Sequence, residues 1–114
     1  MIGVDLIEIG RIAELKKRFG DRALKRFLSE AEIASCGDRP ESVAGLWAAK
    51  EAVSKALGVG IGAKLGFLDI VIVKNKEGAP TAILSSRAAK RFGIVKLQVS
   101  ISHEKKYAIA VALT

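Results

Sequence analysis

The sequence predicts an α+β domain in the order β-α-α-α-β-β-α-β-β, with a long central helix packed on an antiparallel sheet. Three observations carry this reading. Apolar residues alternate in short runs at 2 to 9, again at 67 to 84, and again from 97 to 113. Between the first two runs, residues 9 to 57 place apolar side chains at helical spacing. The later strands come in pairs joined by tight turns, while the helices are segregated from them.

Each element has its own signal. Ile2, Val4 and Leu6 alternate with Gly3 and Asp5 in the first strand. Asp5 shares parity with Ile7, so it points where burial is expected, unless this is an edge strand whose Asp meets solvent. Ile9, Ile12, Leu15 and Phe19 then recur at helical spacing, and Gly20 closes that helix. Asp21 is placed to cap a short second helix through Phe27 and Leu28, and Phe19 and Phe27 take core positions. Ser29 with Glu32 is a capping-box pair that starts a third helix, ending near Gly37. Pro40 suits the first turn of a long helix to Leu57. Gly58, Gly60, Gly62 and Gly66 mark a loop. Residues 67 to 74 read as a strand, 75 to 78 as a turn, and 82 to 84 as a returning strand. Ser85 caps a helix through Phe92, and Leu97 to His103 and Tyr107 to Leu113 are strands joined at Lys105-Lys106. No repeat, linker or low-complexity tract interrupts residues 1 to 114, which read as one domain.

Composition excludes several classes. The chain has 114 residues, half of them hydrophobic and 27% charged, which is a globular balance and not a disordered one. The longest apolar run, Tyr107 to Leu113, is far short of the roughly 20 residues of a membrane span. The start has no basic region and no signal-peptide pattern. A single cysteine, Cys36, excludes an internal disulfide and a cysteine-based metal site, and reads as an ordinary structural or surface thiol. A soluble, cytoplasmic protein is expected.

The net charge is +7, and most of the excess sits in one stretch. Arg11, Lys16, Lys17, Arg18, Arg22, Lys25 and Arg26 face only Glu14 and Asp21. Such a patch attracts a polyanion, whether nucleic acid, an acidic protein or a phosphorylated small molecule; it also serves as a solvated helical face. Single-strand binders interleave aromatics with their bases, and this stretch does not. No zinc-finger spacing or RNA-recognition motif is present. A docking surface for an acidic partner fits better than a nucleic-acid reader.

Chemistry concentrates elsewhere. On the long helix, Leu46, Ala48, Ala49, Ala52, Val53, Ala56 and Leu57 form an apolar arc, with Trp47, Lys50, Glu51, Ser54 and Lys55 on the other side. Glu51 and Lys55 are also an ordinary i,i+4 pair. His103, the only histidine, ends the apolar face of its strand, either as a satisfied structural residue or as part of a site. One strand carboxylate, one helix carboxylate, two lysines, a histidine and a glycine-rich turn together suit phosphate and a hard cation. Magnesium uses one or two carboxylates and keeps substrate phosphates as further ligands, and lysines act on phosphate as point charges.

The segment Trp47-Ala48-Ala49-Lys50-Glu51-Ala52-Val53-Ser54-Lys55-Ala56-Leu57-Gly58 resembles the signature helix of the small-class 4′-phosphopantetheinyl transferases, the holo-(acyl-carrier-protein) synthases. Gly3-Val4-Asp5-Leu6-Ile7-Glu8-Ile9 with Arg11-Ile12, Phe27-Leu28-Ser29-Glu30, Asp69-Ile70 with Gly78-Ala79-Pro80, and Val99-Ser100-Ile101-Ser102-His103 are similar to further family segments, in family order. The resemblance implies transfer of phosphopantetheine from coenzyme A to a serine of apo acyl carrier protein, releasing adenosine 3′,5′-bisphosphate, with magnesium required. It implies Asp5 and Glu51 as metal carboxylates, and Glu51 and Lys55 as the catalytic pair, with Lys55 at the pyrophosphate. Lys50, Ser54, Gly58, Gly60, Gly62, Ser100, Ser102 and His103 would then bind coenzyme A. Arg11, Arg18, Arg22 and Arg26 would dock the acidic carrier, and a homotrimer would place active sites between subunits. Leu46 stands where the family often has arginine, Trp47 where it has phenylalanine, and Val59 where threonine is common. None of these departures touches the implied metal or lysine positions. A broad-range transferase for polyketide or peptide carriers, and a non-enzymatic RNA-binding domain, are the competing readings.

Overall fold

The alternating runs at the two ends of the chain become neighbours in one sheet. A computed structural model describes residues 1–114. β1 (Ile2–Glu8) leads into α1 (Ile9–Phe19), α2 (Arg22–Lys25), α3 (Glu30–Cys36) and α4 (Pro40–Ala56). β2 (Ile70–Lys74), β3 (Pro80–Leu84), α5 (Ser86–Phe92), β4 (Lys96–His103) and β5 (Tyr107–Leu113) follow. All strands are antiparallel, in the order β1-β5-β4-β3-β2. Ile2 pairs with Leu113 and Glu8 with Tyr107, so the first strand is held only by the last. The α+β class and the predicted element order are both observed.

Local chemistry explains most boundaries. Ser29 and Glu32 form the expected capping box at α3, and the Ser85 hydroxyl accepts from the Ala88 N–H at α5. Pro40 opens α4. The Asn75 side chain accepts from the Glu77 and Ala79 N–H groups, and Gly78 turns with φ +86°. Three expectations fail. Asp21 makes no capping bond, and α2 is a single turn. Phe19 is more than half exposed, with the Arg18 guanidinium over its ring, while Phe27 is buried. Residues Phe67–Asp69 form a 3₁₀ turn and not strand, because the Asp69 carboxylate takes the Gly66 N–H at 2.9 Å.

The core lies between the sheet and α4. The helix crosses the inner sheet face from β4, where a Cβ on Gly45 would sit 2.9 Å from Ile101, to β1. There a Cβ on Gly3 would lie 2.0 Å from the Ala52 carbonyl oxygen and 2.5 Å from the Ala56 nitrogen. Ala44, Ala48, Ala49 and Ala52 are completely buried, and their small side chains permit this depth. The helix is covered nearly all round, since Lys50 and Ser54 are also completely buried. The polar side expected from the helical projection is therefore narrower, and only Glu51 and Lys55 of its charged residues reach the surface.

The close approach at Gly3 decides which face of β1 turns inward. Gly3, Asp5 and Ile7 point to the helix, and Ile2, Val4 and Leu6 point away. With Ile109 and Leu113 they leave an exposed apolar surface on the outer side of the sheet.

Replacing Gly3 by Ala drives a methyl group into the α4 backbone, which has no flexible end to move. Gly3→Ala should lower unfolding stability by about 3 kcal/mol or more, read from urea titration. A loss below about 0.5 kcal/mol would show that strand and helix separate freely.

Candidate active site

The inward face of β1 and the exposed edge of α4 bring three of the expected residues together. The Lys55 Nζ donates to Asp5 Oδ1 at 3.0 Å and to the Val4 carbonyl at 3.2 Å. β1 is an edge strand, yet the Asp5 side chain is only 14% exposed, because its inward face lies under α4. Glu51 lies one helical turn before Lys55 and is half-buried. Burial, and then the neighbouring Asp5 charge, push the Glu51 carboxyl above its ordinary value, while Lys55 and Arg11 pull it down. Two carboxylates thus lie close enough for the Asp5 charge to be felt at Glu51, with Lys55 bonded to Asp5 beside them. That donor set fits the magnesium implied by the resemblance. No cluster of three or more His, Cys, Asp or Glu side chains surrounds the spot, so further ligands would come from phosphate or water.

The glycine-rich loop begins where α4 ends. The Ser54 carbonyl accepts from both Val59 N–H and Gly60 N–H at 3.2 Å. Gly58 and Gly60 take φ values of +78° and +69°, a region that side chains resist. A Cβ at Gly58, Gly60 or Gly62 would meet nothing, so the loop backbone is open to an approaching ligand. Leu65 is fully buried beneath it. Asp69 pins the far end: it accepts from Ser85 Oγ at 2.7 Å, Arg87 Nη2 at 2.6 Å, Arg87 Nε at 3.1 Å and the Gly66 N–H at 2.9 Å. Burial alone would raise this carboxyl, but the donors, Arg87 foremost, outweigh it and hold Asp69 at about 2.

Other expected site residues are placed differently. Lys50 is completely buried, with Nζ donating to Glu32 Oε1 and to the Phe27 carbonyl, both at 2.7 Å. Burial pushes this lysine below its ordinary value and the Glu32 charge counters it. A side chain so enclosed does not reach a coenzyme A phosphate. Ser54 is also completely buried, and its hydroxyl donates to the Glu51 carbonyl at 2.6 Å. The helical projection missed both because it cannot see what covers a helix from above. Ser100 and Ser102 pair with Val111 and Ile109 and lie on the outer sheet face, opposite Asp5. His103 is exposed and two strands away from β1. One chain does not bring these three to the Asp5–Glu51 pair.

The four arginines do converge. Arg11 and Arg18 line a groove of 410 Å³ with Ile7, Leu15 and Trp47. Arg18, Arg22 and Arg26 line an adjoining groove of 660 Å³ with Phe19, Phe27, Trp47 and Phe67. Trp47 is common to both. It packs edge-on to Phe27 at 4.9 Å and tilts on Phe67 at 4.7 Å between ring centroids. Sequence reasoning passed over Phe67 and the ion-pairing role of Glu32. Only the capping-box pattern pointed to Glu32, and it says nothing about a partner on another helix.

Comparison with known proteins covers the whole arrangement. A family model described as the 4′-phosphopantetheinyl transferase superfamily matches residues 1–112. The holo-(acyl-carrier-protein) synthase of Campylobacter curvus is 52% identical over 113 residues, 99% of this chain and 98% of that protein. The synthase of Sulfurimonas denitrificans is 50% identical over 111 residues, 97% of this chain and 91% of that one. Among solved structures, the Helicobacter pylori synthase in complex with coenzyme A matches with a TM-score of 0.95 at 50% identity, covering 99% and 98% of the two chains. A Bacillus anthracis synthase in complex with CoA (3′,5′-ADP) matches with a TM-score of 0.80 at 38% identity, covering 98% and 92%.

Asp69 titrates near 2 in the folded chain against an ordinary 3.8. A carboxyl lowered on folding adds stability that is fully present above its unfolded value and is lost as pH falls through the folded one. Asp69→Asn should therefore melt below the unsubstituted protein at neutral pH, and the gap should close between about pH 4 and pH 2. Melting temperatures measured across that range check it; a gap independent of pH would remove the charge from the account.

Proposed function

The chain belongs to the 4′-phosphopantetheinyl transferase superfamily, and from that premise we propose that it moves 4′-phosphopantetheine from coenzyme A to a serine of apo acyl carrier protein. Adenosine 3′,5′-bisphosphate is the coproduct, and residues 1–114 act as one cytoplasmic transferase domain. The observation that carries this reading is the Asp5–Glu51–Lys55 group at the mouth of the open glycine loop. It lies in a chain aligned almost end to end with holo-(acyl-carrier-protein) synthases.

Asp5 and Glu51 would hold magnesium. When bound, the ion neutralises charge on the pyrophosphate as it develops at the leaving oxygen. Lys55, already turned toward Asp5, supplies a second positive charge beside the same phosphates. The backbone of Gly58, Gly60 and Gly62 lets the nucleotide approach without side-chain obstruction. Arg11, Arg18, Arg22 and Arg26 attract the acidic carrier, and the aromatic-lined groove beside them receives its apolar side chains. A carrier docked there would present its serine toward Asp5 and Glu51.

A homotrimer with sites between subunits completes the reading. Two features support it: the exposed apolar outer face of β1 and β5, and the separation of Ser100, Ser102 and His103 from Asp5 within one chain. A neighbouring subunit would supply those three to the nucleotide.

The test is mass spectrometry of apo acyl carrier protein incubated with this protein, coenzyme A and magnesium. One phosphopantetheine should appear on the carrier serine, and chelation of magnesium should stop it. Glu51→Gln should reduce transfer at least about a hundredfold while leaving the melting temperature of the ligand-free protein unchanged or higher, since burial and Asp5 both oppose the charge. Unchanged turnover in that variant would remove Glu51 from the mechanism. No transfer to any of several carriers would overturn the reaction.

A further inference from the structure

The most enclosed charged group in the molecule is not at the candidate site. Lys50 and Glu32 form an ion pair whose side chains are 0% and 2% exposed. Every polar atom in it is used. Glu32 Oε1 accepts from Lys50 Nζ at 2.7 Å and from the Ser29 N–H at 2.8 Å, and Oε2 accepts from the Ile72 N–H at 2.8 Å. The second acceptor of Lys50 is the backbone carbonyl of Phe27, at 2.7 Å. One buried knot therefore ties α4, the start of α3, β2 and the chain just after α2.

A buried ion pair is weak evidence for stability, because well-packed apolar residues often replace one without loss. What it adds is geometry. The segment it grips needs that help: α2 has four residues, too few to hold itself as a helix. This same segment forms a wall of the 660 Å³ groove, through Arg22, Ala23, Arg26 and Phe27. Phe27 sets the edge-on contact with Trp47, which both grooves share.

Resting on the proposal that the carrier docks along these grooves, we infer that Lys50 and Glu32 are positioning residues for carrier recognition: they fix the Phe27 wall against Trp47 and so set the width of the docking groove. Neither touches coenzyme A or carrier. The residue next to the metal carboxylate in sequence thus serves the opposite substrate.

The experiment varies coenzyme A and apo acyl carrier protein in turn. Lys50→Met removes both contacts of the ammonium. The KM for carrier should rise about tenfold while the KM for coenzyme A stays within about twofold. Emission from Trp47, the only tryptophan, should shift to the red as Phe27 leaves its edge. A merely structural lysine would lower kcat only, through a smaller folded fraction; unchanged KM values for both substrates overturn the inference. Lys50→Met strands the Glu32 charge, so Glu32→Gln/Lys50→Met is measured beside it and is read the same way. Phe27→Leu keeps the ion pair and trims only the wall. An unchanged carrier KM there overturns the inference even if neither lysine variant folds. Arg22→Glu and Arg18→Glu separate the two levels of the argument. If charge reversal leaves the carrier KM unchanged, the docking reading falls and the inference with it. If it raises the carrier KM while the Lys50 and Phe27 variants do not, the inference alone falls.

Discussion

Contact between the backbones of α4 and β1 at Gly3 governs the rest of the molecule. Helices usually stand off a sheet by the depth of two side-chain layers. Here the Ala52 carbonyl fills the space where a Cβ of residue 3 would be. The consequences run outward from that point. The helix must be alanine-rich where it meets the sheet, and it is. β1 must turn Gly3, Asp5 and Ile7 inward, which places a carboxylate under the helix. Glu51 and Lys55, on either side of Ala52 in sequence, then come down to the level of Asp5. A more ordinary helix-to-sheet distance would leave the same three residues on one surface without bringing them into one site.

Charge is divided between two regions with opposite local balance. Midway along β1, burial and then the Asp5 charge make Glu51 harder to ionise. Around the corner, α1 and α2 carry most of the +7 excess on an open surface, where water screens it and a partner of opposite sign is drawn in from a distance. Trp47 and its aromatic neighbours stand between the two regions. They give the surface a shape that charge alone would lack.

Local signals were legible in the sequence, and contacts across the fold were not. Ser29, Pro40, Ser85, Asn75 and Gly78 act through bonds to residues a few places away, so pattern alone located them. The alternation of Ile2, Val4 and Leu6 marked a strand correctly, but hydrophobicity could not say which face turns inward, because the steric demand at Gly3 comes from α4. Asp5 stood out against its own strand, Glu51 and Lys55 were marked by the family resemblance beyond an ordinary i,i+4 pair, and the fold sets the three beside one another. Lys50 was misplaced by the same method. Its helical position is polar on a projection, and only the packing of α3 and β2 encloses it. Phe19 and Phe27 were indistinguishable by spacing; the brevity of α2 and the ring of Trp47 separate them.

The pairing of β1 with β5 has a meaning for synthesis. The first strand emerges from the ribosome long before the only strand that bonds to it, and its face carries Ile2, Val4 and Leu6. β2, β3 and β4 can pair as they are made, but β1 finds its one strand partner only when β5 has been made, so its side of the sheet closes last, through contacts of great sequence separation. Until then the nascent amino-terminal segment is an unpaired, apolar ribbon of the kind that chaperones bind and that neighbouring chains capture.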